Sequence, residues 1–135
     1  MRVRKYNNRY VAYIGNRRGC DGIVRPAIGL HGVWLQSFGF HQDMIVLAEL
    51  TQGCIVFTVK GYGMDLYRRL VSGVRQSDSS LLIQVRNMRN HGKDFPIMRI
   101  PEKCLDGYGF SLNDALSIQG EDGRVTVERI TKDIL

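Results

Sequence analysis

The sequence predicts a mainly β protein with short helices, built from two tandem copies of one structural unit. Short apolar runs alternate with segments rich in Arg, Asn and Gly, and hairpin signals close each half. Sliding the chain by 70 positions also brings two segments into register without a gap. Several identical residues then coincide: Pro26 with Pro96, Leu35 with Leu105, Gly39–Phe40 with Gly109–Phe110, and Gly53 with Gly123.

This register divides the 135 residues into residues 1–60 as the first unit, residues 61–79 as a connector and residues 80–135 as the second unit. The two units are expected to form one pseudo-dimeric domain. Within the connector, Leu66, Leu70 and Val71 have helical spacing, which predicts a helix of about two to three turns.

Each unit repeats the same order of elements. An apolar strand is followed by a polar loop, a second strand and a short helix that ends at a glycine, where the left-handed conformation costs no Cβ clash. The predicted pairs are the strands Tyr10–Ile14 and Leu81–Val85, the second strands ending at Leu30 and Ile100, the helices Val33–Phe38 and Glu102–Tyr108, and their terminators Gly39 and Gly109.

A hairpin is predicted to close each unit. Its strands are Met44–Leu50 with Cys54–Val59, and Ala115–Ile118 with Arg124–Glu128. Asp122-Gly123 is a strong hairpin turn signal. Alternation around Val125 and Val127 predicts one buried and one wet face. The run at Cys54–Phe57 is apolar throughout, so we expect the first hairpin to be the more buried.

Two stretches of the chain resemble a known superfamily. Residues 97–118 with 122–128 resemble the AbrB/MazE DNA-binding family, whose arginine-isoleucine-proline strand end corresponds to Arg99–Pro101. Residues 25–40 with 53–59 are similar to the SymE branch, which comprises bacterial toxins of toxin-antitoxin systems. The resemblance implies an AbrB-type swapped-hairpin β-barrel, formed here by two repeats in one chain. We therefore expect a monomer, with a homodimer as the alternative.

The formal net charge of +6 favours a polyanionic partner. In the AbrB/MazE family the strand-loop-strand stretch meets DNA, and basic residues concentrate there in both units. The candidate nucleic-acid-binding residues are Arg17, Arg18, Arg25, Arg86, Arg89, Asn90, His91, Lys93 and Arg99. Arg99 is the first candidate, and Gly29 at the matching position predicts unequal halves. The alternative is that these are solvated loop charges.

The expected function is sequence-tolerant binding of duplex DNA by a SymE-like toxin in the cytoplasm, at the nucleoid. A first alternative is a metal-independent endoribonuclease that uses His91 among its basic neighbours to cleave RNA. A second is an AbrB-like transcriptional regulator. An antitoxin role is not expected, because residues 130–135 are far shorter than the acidic tail by which MazE-type antitoxins engage their toxins.

Other chemistries have little support in the sequence. The three cysteines form no CxxC pair, no phosphate-binding glycine loop occurs, and no cofactor or metal is expected. No apolar run is long enough to span a bilayer and no apolar stretch follows the basic N-terminus, so neither a membrane protein nor a secretory signal is expected. The aromatic residues around the helices are expected in the core: Trp34, Phe38, Phe40, Tyr108 and Phe110.

Overall fold

The computed structural model describes residues 3–6, 9–13, 15–18, 24–62, 74–77, 79–105, 107–112 and 114–130. Within these ranges, side chains are described from Ile28 onward, except at residues 74–77 and 102. The connecting helix predicted around Leu66 and Leu70 lies outside the described residues. In the part of the chain described, no helix is both long and apolar enough to cross a membrane.

Twelve strands and two short 3-10 helices make up the described structure. The strands of the first half are β1 (Val3–Tyr6), β2 (Arg9–Tyr13), β3 (Gly15–Arg18), β4 (Val24–His31), β5 (Met44–Thr51) and β6 (Cys54–Tyr62). Those of the second half are β7 (Val74–Ser77), β8 (Ser80–Gln84), β9 (Arg86–Asn90), β10 (Lys93–Ile100), β11 (Ala115–Glu121) and β12 (Arg124–Arg129). The prediction of a mainly β protein is confirmed.

The strands form two antiparallel sheets. One has eight strands in the order β1-β2-β11-β12-β6-β5-β8-β7, and the other has four in the order β3-β4-β10-β9. Among the described residues neither sheet closes on itself, so the expectation of a closed barrel is wrong. The chain passes from the eight-stranded sheet to the four-stranded sheet at Val85, which lies between the end of β8 and the start of β9.

The two halves of the chain interleave in the eight-stranded sheet. β5 of the first half pairs with β8 of the second, and β11 of the second half pairs with β2 of the first. β6 and β12 then join the two hairpins at the centre of the sheet. Each hairpin therefore completes the sheet begun by the other half.

A pseudo-two-fold axis relates the halves. In the ladder between β6 and β12, Val56 lies opposite Thr126, and in the ladder between β4 and β10, Gly29 lies opposite Arg99. Both pairs join residues that are 70 positions apart, the same shift that aligned the repeats. A residue that faces its own repeat counterpart marks a local two-fold axis.

The hairpin turns make reciprocal hydrogen bonds across this axis. Gly53 N donates to Tyr108 O and Gly123 N donates to Phe38 O, each at 2.7 Å. The glycine carbonyls accept in turn, from Arg129 N at 2.7 Å and from Val59 N at 2.9 Å. Each turn therefore contacts the end of the 3-10 helix of the other half or the residues just after it.

One apolar core joins the two sheets. Leu30 and Met98 enter it from the four-stranded sheet, and Phe57 and Val127 enter from the eight-stranded one. Burial of such side chains contributes about 1.5–3 kcal/mol each. In β12 the buried Val125 and Val127 alternate with exposed residues, which confirms the predicted wet face.

The 3-10 helices, Val33–Phe38 and Glu102–Leu105, lie where short helices were predicted, although the second ends three residues early. Gly39 ends the first at φ 87°, in the left-handed region. The predicted aromatic residues are in the core or packed against it: Phe40 and Phe110 are buried, and Trp34, Phe38 and Tyr108 lie against the cluster.

Two expectations about strands need correction. The Arg-rich stretches predicted as polar loops are mostly extended, because β3 and β9 pair along β4 and β10. β1 and β7 were not predicted at all. In the first hairpin the half-buried Cys54 and Val56 alternate with the buried Ile55 and Phe57, whereas Arg124 at the start of β12 is exposed.

Candidate nucleic-acid interface

The four-stranded sheet has one face turned to the core and one turned outward. Ile28, Leu30, Met98 and Ile100 are buried on the inner side, whereas Arg99, between the last two, is exposed. Successive side chains of a strand point to opposite faces. The sheet is therefore anchored by one face and presents the other.

Directly opposite residues in an antiparallel ladder share a face, so the register assigns the outward side. Arg99 faces Gly29, Ile97 faces both His31 and Arg86, Phe95 faces Met88, and Lys93 faces Asn90. These nine residues are called the basic face: Gly29, His31, Arg86, Met88, Asn90, Lys93, Phe95, Ile97 and Arg99. Three are cations and none is a carboxylate.

Arg99 lies over Gly29 on this face. A Cβ placed on Gly29 would be 3.3 Å from Cγ of Arg99, a contact slightly tighter than usual, so the aliphatic part of the arginine packs closely over the glycine. The residue is nevertheless exposed. Packing of the stem over glycine holds the guanidinium above the sheet, near the pseudo-two-fold axis.

Apolar and aromatic side chains lie between the cations. The rings of His31 and Phe95 have centroids 5.8 Å apart at an angle of 37°. Met88 faces Phe95 across the ladder, and Ile97 is 8% exposed. The centre of the basic face is thus a mixed apolar and aromatic surface with cations around it.

β9 and β10 continue beyond the core as a two-stranded ribbon. From Arg86 to Asp94 every residue except the half-buried Met88 is exposed, which includes both faces of the distal ladder pairs. His91 and Gly92 form the turn at φ 52° and φ 75°. Two successive left-handed residues are typical of a type I′ turn, whose twist matches that of the flanking strands.

The structure separates residues that the sequence analysis placed in one cluster. Arg86, Asn90, Lys93 and Arg99 share the basic face, His91 is at the tip of the ribbon, and Arg89 is on the opposite side. Asp94 lies across the ladder from Arg89 and also accepts a hydrogen bond from Asn87 Nδ2 at 3.2 Å. Arg89 therefore has a carboxylate neighbour that the basic face lacks.

The first-half candidates lie on the equivalent strands. Arg17 of β3 faces Arg25 of β4, and Arg18 faces Val24. Their backbones place them in the same sheet as Arg99, but their side chains are outside the described part. The four-stranded sheet thus contains every predicted binding residue except His91, which is in its turn.

Sequence reasoning missed the apolar members of the basic face. Phe95 and Ile97 were available in the sequence, and a period of two along Lys93–Ile100 would have placed both beside Arg99. The signal was hidden because the Arg- and Asn-rich stretch after Val85 was interpreted as a polar loop. His31 could not be assigned to the face without knowing that β4 pairs with β10.

The outward face of the eight-stranded sheet carries carboxylates among its described side chains, which the basic face lacks. Glu49, Glu121, Arg124 and Glu128 are exposed there, and the ladders put them on one side. We call these four residues and Cys54 the acidic face. Partial burial raises the pKa of the Cys54 thiol, and Glu128 opposite it raises the pKa further.

Neither face provides a metal site. Among the described residues there is no group of three or more His, Cys, Asp or Glu side chains that could hold a metal ion.

Comparison with known proteins leaves the family open. No protein-family model, no curated protein and no solved structure matches this chain.

Proposed function

We propose that this protein binds nucleic acid, with duplex DNA as the favoured ligand, through the basic face and the β9–β10 ribbon. The observation that carries the proposal is the ribbon, which extends beyond the core, is exposed on both sides and is continuous with a sheet face that has three cations and no carboxylate.

The dimensions and chemistry of the ribbon suit the major groove. That groove is about 12 Å wide and admits a two-stranded β-ribbon. Asn90 and Arg89 could pair in bidentate fashion with adenine and guanine edges, because their amide and guanidinium groups match those patterns. His91, in the turn, would enter the groove first.

The cations of the sheet would hold the backbone. Arg86, Lys93 and Arg99 are exposed on the face from which the ribbon extends, so they could reach phosphates beside the groove. Each phosphate contact releases condensed counterions, and the affinity then falls as salt rises. Backbone contacts of this kind account for the expected tolerance to sequence.

The proposal includes the swapped-hairpin architecture of the AbrB/MazE family and a SymE-like toxin as the biological setting. Its support is the interleaving of the two hairpins across a pseudo-two-fold axis, together with the sequence resemblance. Transcriptional regulation would use the same DNA contacts and is the alternative setting.

The direct test is a binding titration of the full chain on duplex DNA and on RNA at several salt concentrations. We expect duplex affinity to fall steeply between low and moderate salt. Arg99→Ala should weaken binding, whereas Arg124→Ala removes an exposed arginine from the acidic face and should leave affinity unchanged. A flat salt response, or equal losses in the two variants, would contradict the proposal.

A second candidate is metal-independent RNA cleavage by His91, which the ribbon exposes at its tip near Lys93. Purified protein should then degrade RNA in EDTA, and His91→Ala should abolish cleavage while DNA affinity survives. Intact RNA after incubation with the wild-type protein would remove this candidate.

A further inference from the structure

We propose that the protein binds its duplex one-sidedly: the β9–β10 ribbon enters the groove together with the single axial Arg99, and the equivalent β3–β4 ribbon does not. The inference rests on the proposed function and adds that the bound DNA is contacted without two-fold symmetry. It follows from a comparison of the two ribbons, which the pseudo-two-fold axis makes equivalent.

The ladders of the two ribbons match pair for pair. Asn16 faces Pro26 in the first, and Asn87 faces Pro96 in the second, the same two residue types in the same order. One step further toward the tip, Arg18 faces Val24 and Arg89 faces Asp94. Arg18 and Arg89 therefore occupy corresponding positions, and a difference in their use must come from their surroundings.

The segments that connect the two strands of each ribbon differ in the residues they contain. The second ribbon continues by one more ladder pair, Asn90 with Lys93, and ends in the two-residue turn His91-Gly92. The corresponding segment of the first half, residues 19–23, has the sequence Gly-Cys-Asp-Gly-Ile. It contains a carboxylate, no cation and no side-chain amide, so it lacks the charged and amide side chains that donate to phosphates and purine edges.

The matched pairs between the ends of the ribbons differ in both directions. Arg17 and Arg25 occupy the positions that Met88 and Phe95 hold in the second half. At another matched pair, Arg86 faces Ile97 in the second half, whereas Gly15 faces Ala27 in the first. The cation at this position is therefore present in one half only.

The axis itself has one arginine. Gly29 and Arg99 are repeat counterparts that face each other, and the stem of Arg99 packs closely over Gly29. Two chains related by true symmetry would present identical residues at this point. Here one counterpart is a glycine and the other an arginine, so the two halves differ at the axis.

Symmetric proteins that bind DNA place two equivalent elements in successive grooves, about one helical turn apart. In this chain only the second ribbon has a side-chain amide and a cation beside its turn, so it would make the single groove contact, with Arg99 at its edge. The first ribbon would add general positive charge through Arg17 and Arg25, without entering the groove.

The test compares Arg89→Ala with its matched control, Arg18→Ala, in the full-length chain on one duplex of fixed sequence. We expect Arg89→Ala to lose about tenfold or more in affinity and Arg18→Ala to remain within about twofold. Thermal melting of both variants checks that they fold. If Arg18→Ala melts early, the matched pair Arg18→Gln and Arg89→Gln replaces the two alanine variants.

Equal losses in the two variants, or a larger loss from Arg18→Ala, would overturn one-sided binding while leaving DNA binding itself intact. A wild-type chain that fails to bind the duplex at low salt would instead overturn the proposed function. The two failures are therefore distinguishable in one titration series.

Discussion

The two outward faces of the molecule are built by the same rule but differ in charge, because only the eight-stranded sheet presents carboxylates among the outward side chains described. Each belongs to an antiparallel sheet whose other face lies in the shared core. On the four-stranded sheet the outward positions hold Arg86, Lys93 and Arg99 without a carboxylate, whereas the eight-stranded sheet presents Glu49 and Glu128 among its outward residues. Because the side chains of a strand alternate between two faces, the outward residues do not pack in the core, and their charges can be selected for a partner. Separation of charge of this kind orients an approaching polyanion.

The largest expected effect comes from the inner side of the four-stranded sheet. Leu30→Ala removes a fully buried side chain beneath the basic face and should lower the free energy of unfolding by about 2–5 kcal/mol. Chemical denaturation measures this loss. Arg99→Ala on the outer side should leave the unfolding midpoint nearly unchanged, and a large loss there would show that the basic face is structural.

The next effect concerns binding. Replacing Arg86, Lys93 and Arg99 together with alanine should lower the affinity for duplex DNA on the order of a hundredfold at low salt, and the slope of log K against log salt should fall by about 2.7 if each contacts one phosphate. The control is Arg124→Ala on the acidic face. An unchanged slope in the triple variant would mean that these cations do not meet phosphates.

A smaller effect is expected inside the eight-stranded sheet. A Cβ on Gly120 would overlap the ring of Phe38, which packs against the core. Gly120→Ala should therefore destabilise the protein by about 1–3 kcal/mol, because the aromatic ring must move. Thermal melting checks this, and the double variant Gly120→Ala with Phe38→Leu should recover part of the loss. DNA affinity measured well below the melting temperature should be unaffected.

The smallest expected effect concerns the rate at which the Cys54 thiol on the acidic face reacts, which depends on its pKa. Because burial and Glu128 raise the pKa of Cys54, its alkylation near pH 8 should be slower than that of a free thiol and should accelerate as the pH rises. Peptide mapping after alkylation follows this cysteine separately from the others. Glu128→Gln should speed the reaction, and Arg124→Ala should slow it, since Arg124 lowers the same pKa. Shifts in the opposite directions would show that the charges do not act on the thiol.

The same thiol links stability to pH in a defined direction. The folded state favours the protonated form, so its contribution to stability is complete below the pKa of the unfolded thiol, about 8.5, and is lost as the pH rises through the higher folded value. Cys54→Ser should reduce the decline in stability on the alkaline side. An identical alkaline decline in this variant would assign the effect to other groups.

Several elements could be predicted because their signals are local. The strand Arg124–Arg129 alternates with period two around Val125 and Val127, and a glycine precedes it. The helix at Val33–Phe38 ends at a glycine that takes a left-handed conformation. β9 was missed, because Arg86–Asn90 has no apolar alternation and its strand conformation depends on pairing with β10.

The sequence by itself determined the two-fold repetition, the hairpins, the core aromatic residues and the position of the basic stretches along the chain. These follow from residue type and spacing, which act over a few neighbours. Tertiary structure decided that β4 pairs with β10, which brings the rings of His31 and Phe95 together and places Gly29 opposite Arg99 on the axis. The register between β9 and β10 places Arg89 on the side opposite the basic face. Register between distant strands decides which side chains share a face, and a slip of one residue would exchange the two faces. That register is set by burial of the opposite face in a common core, a property of the whole fold.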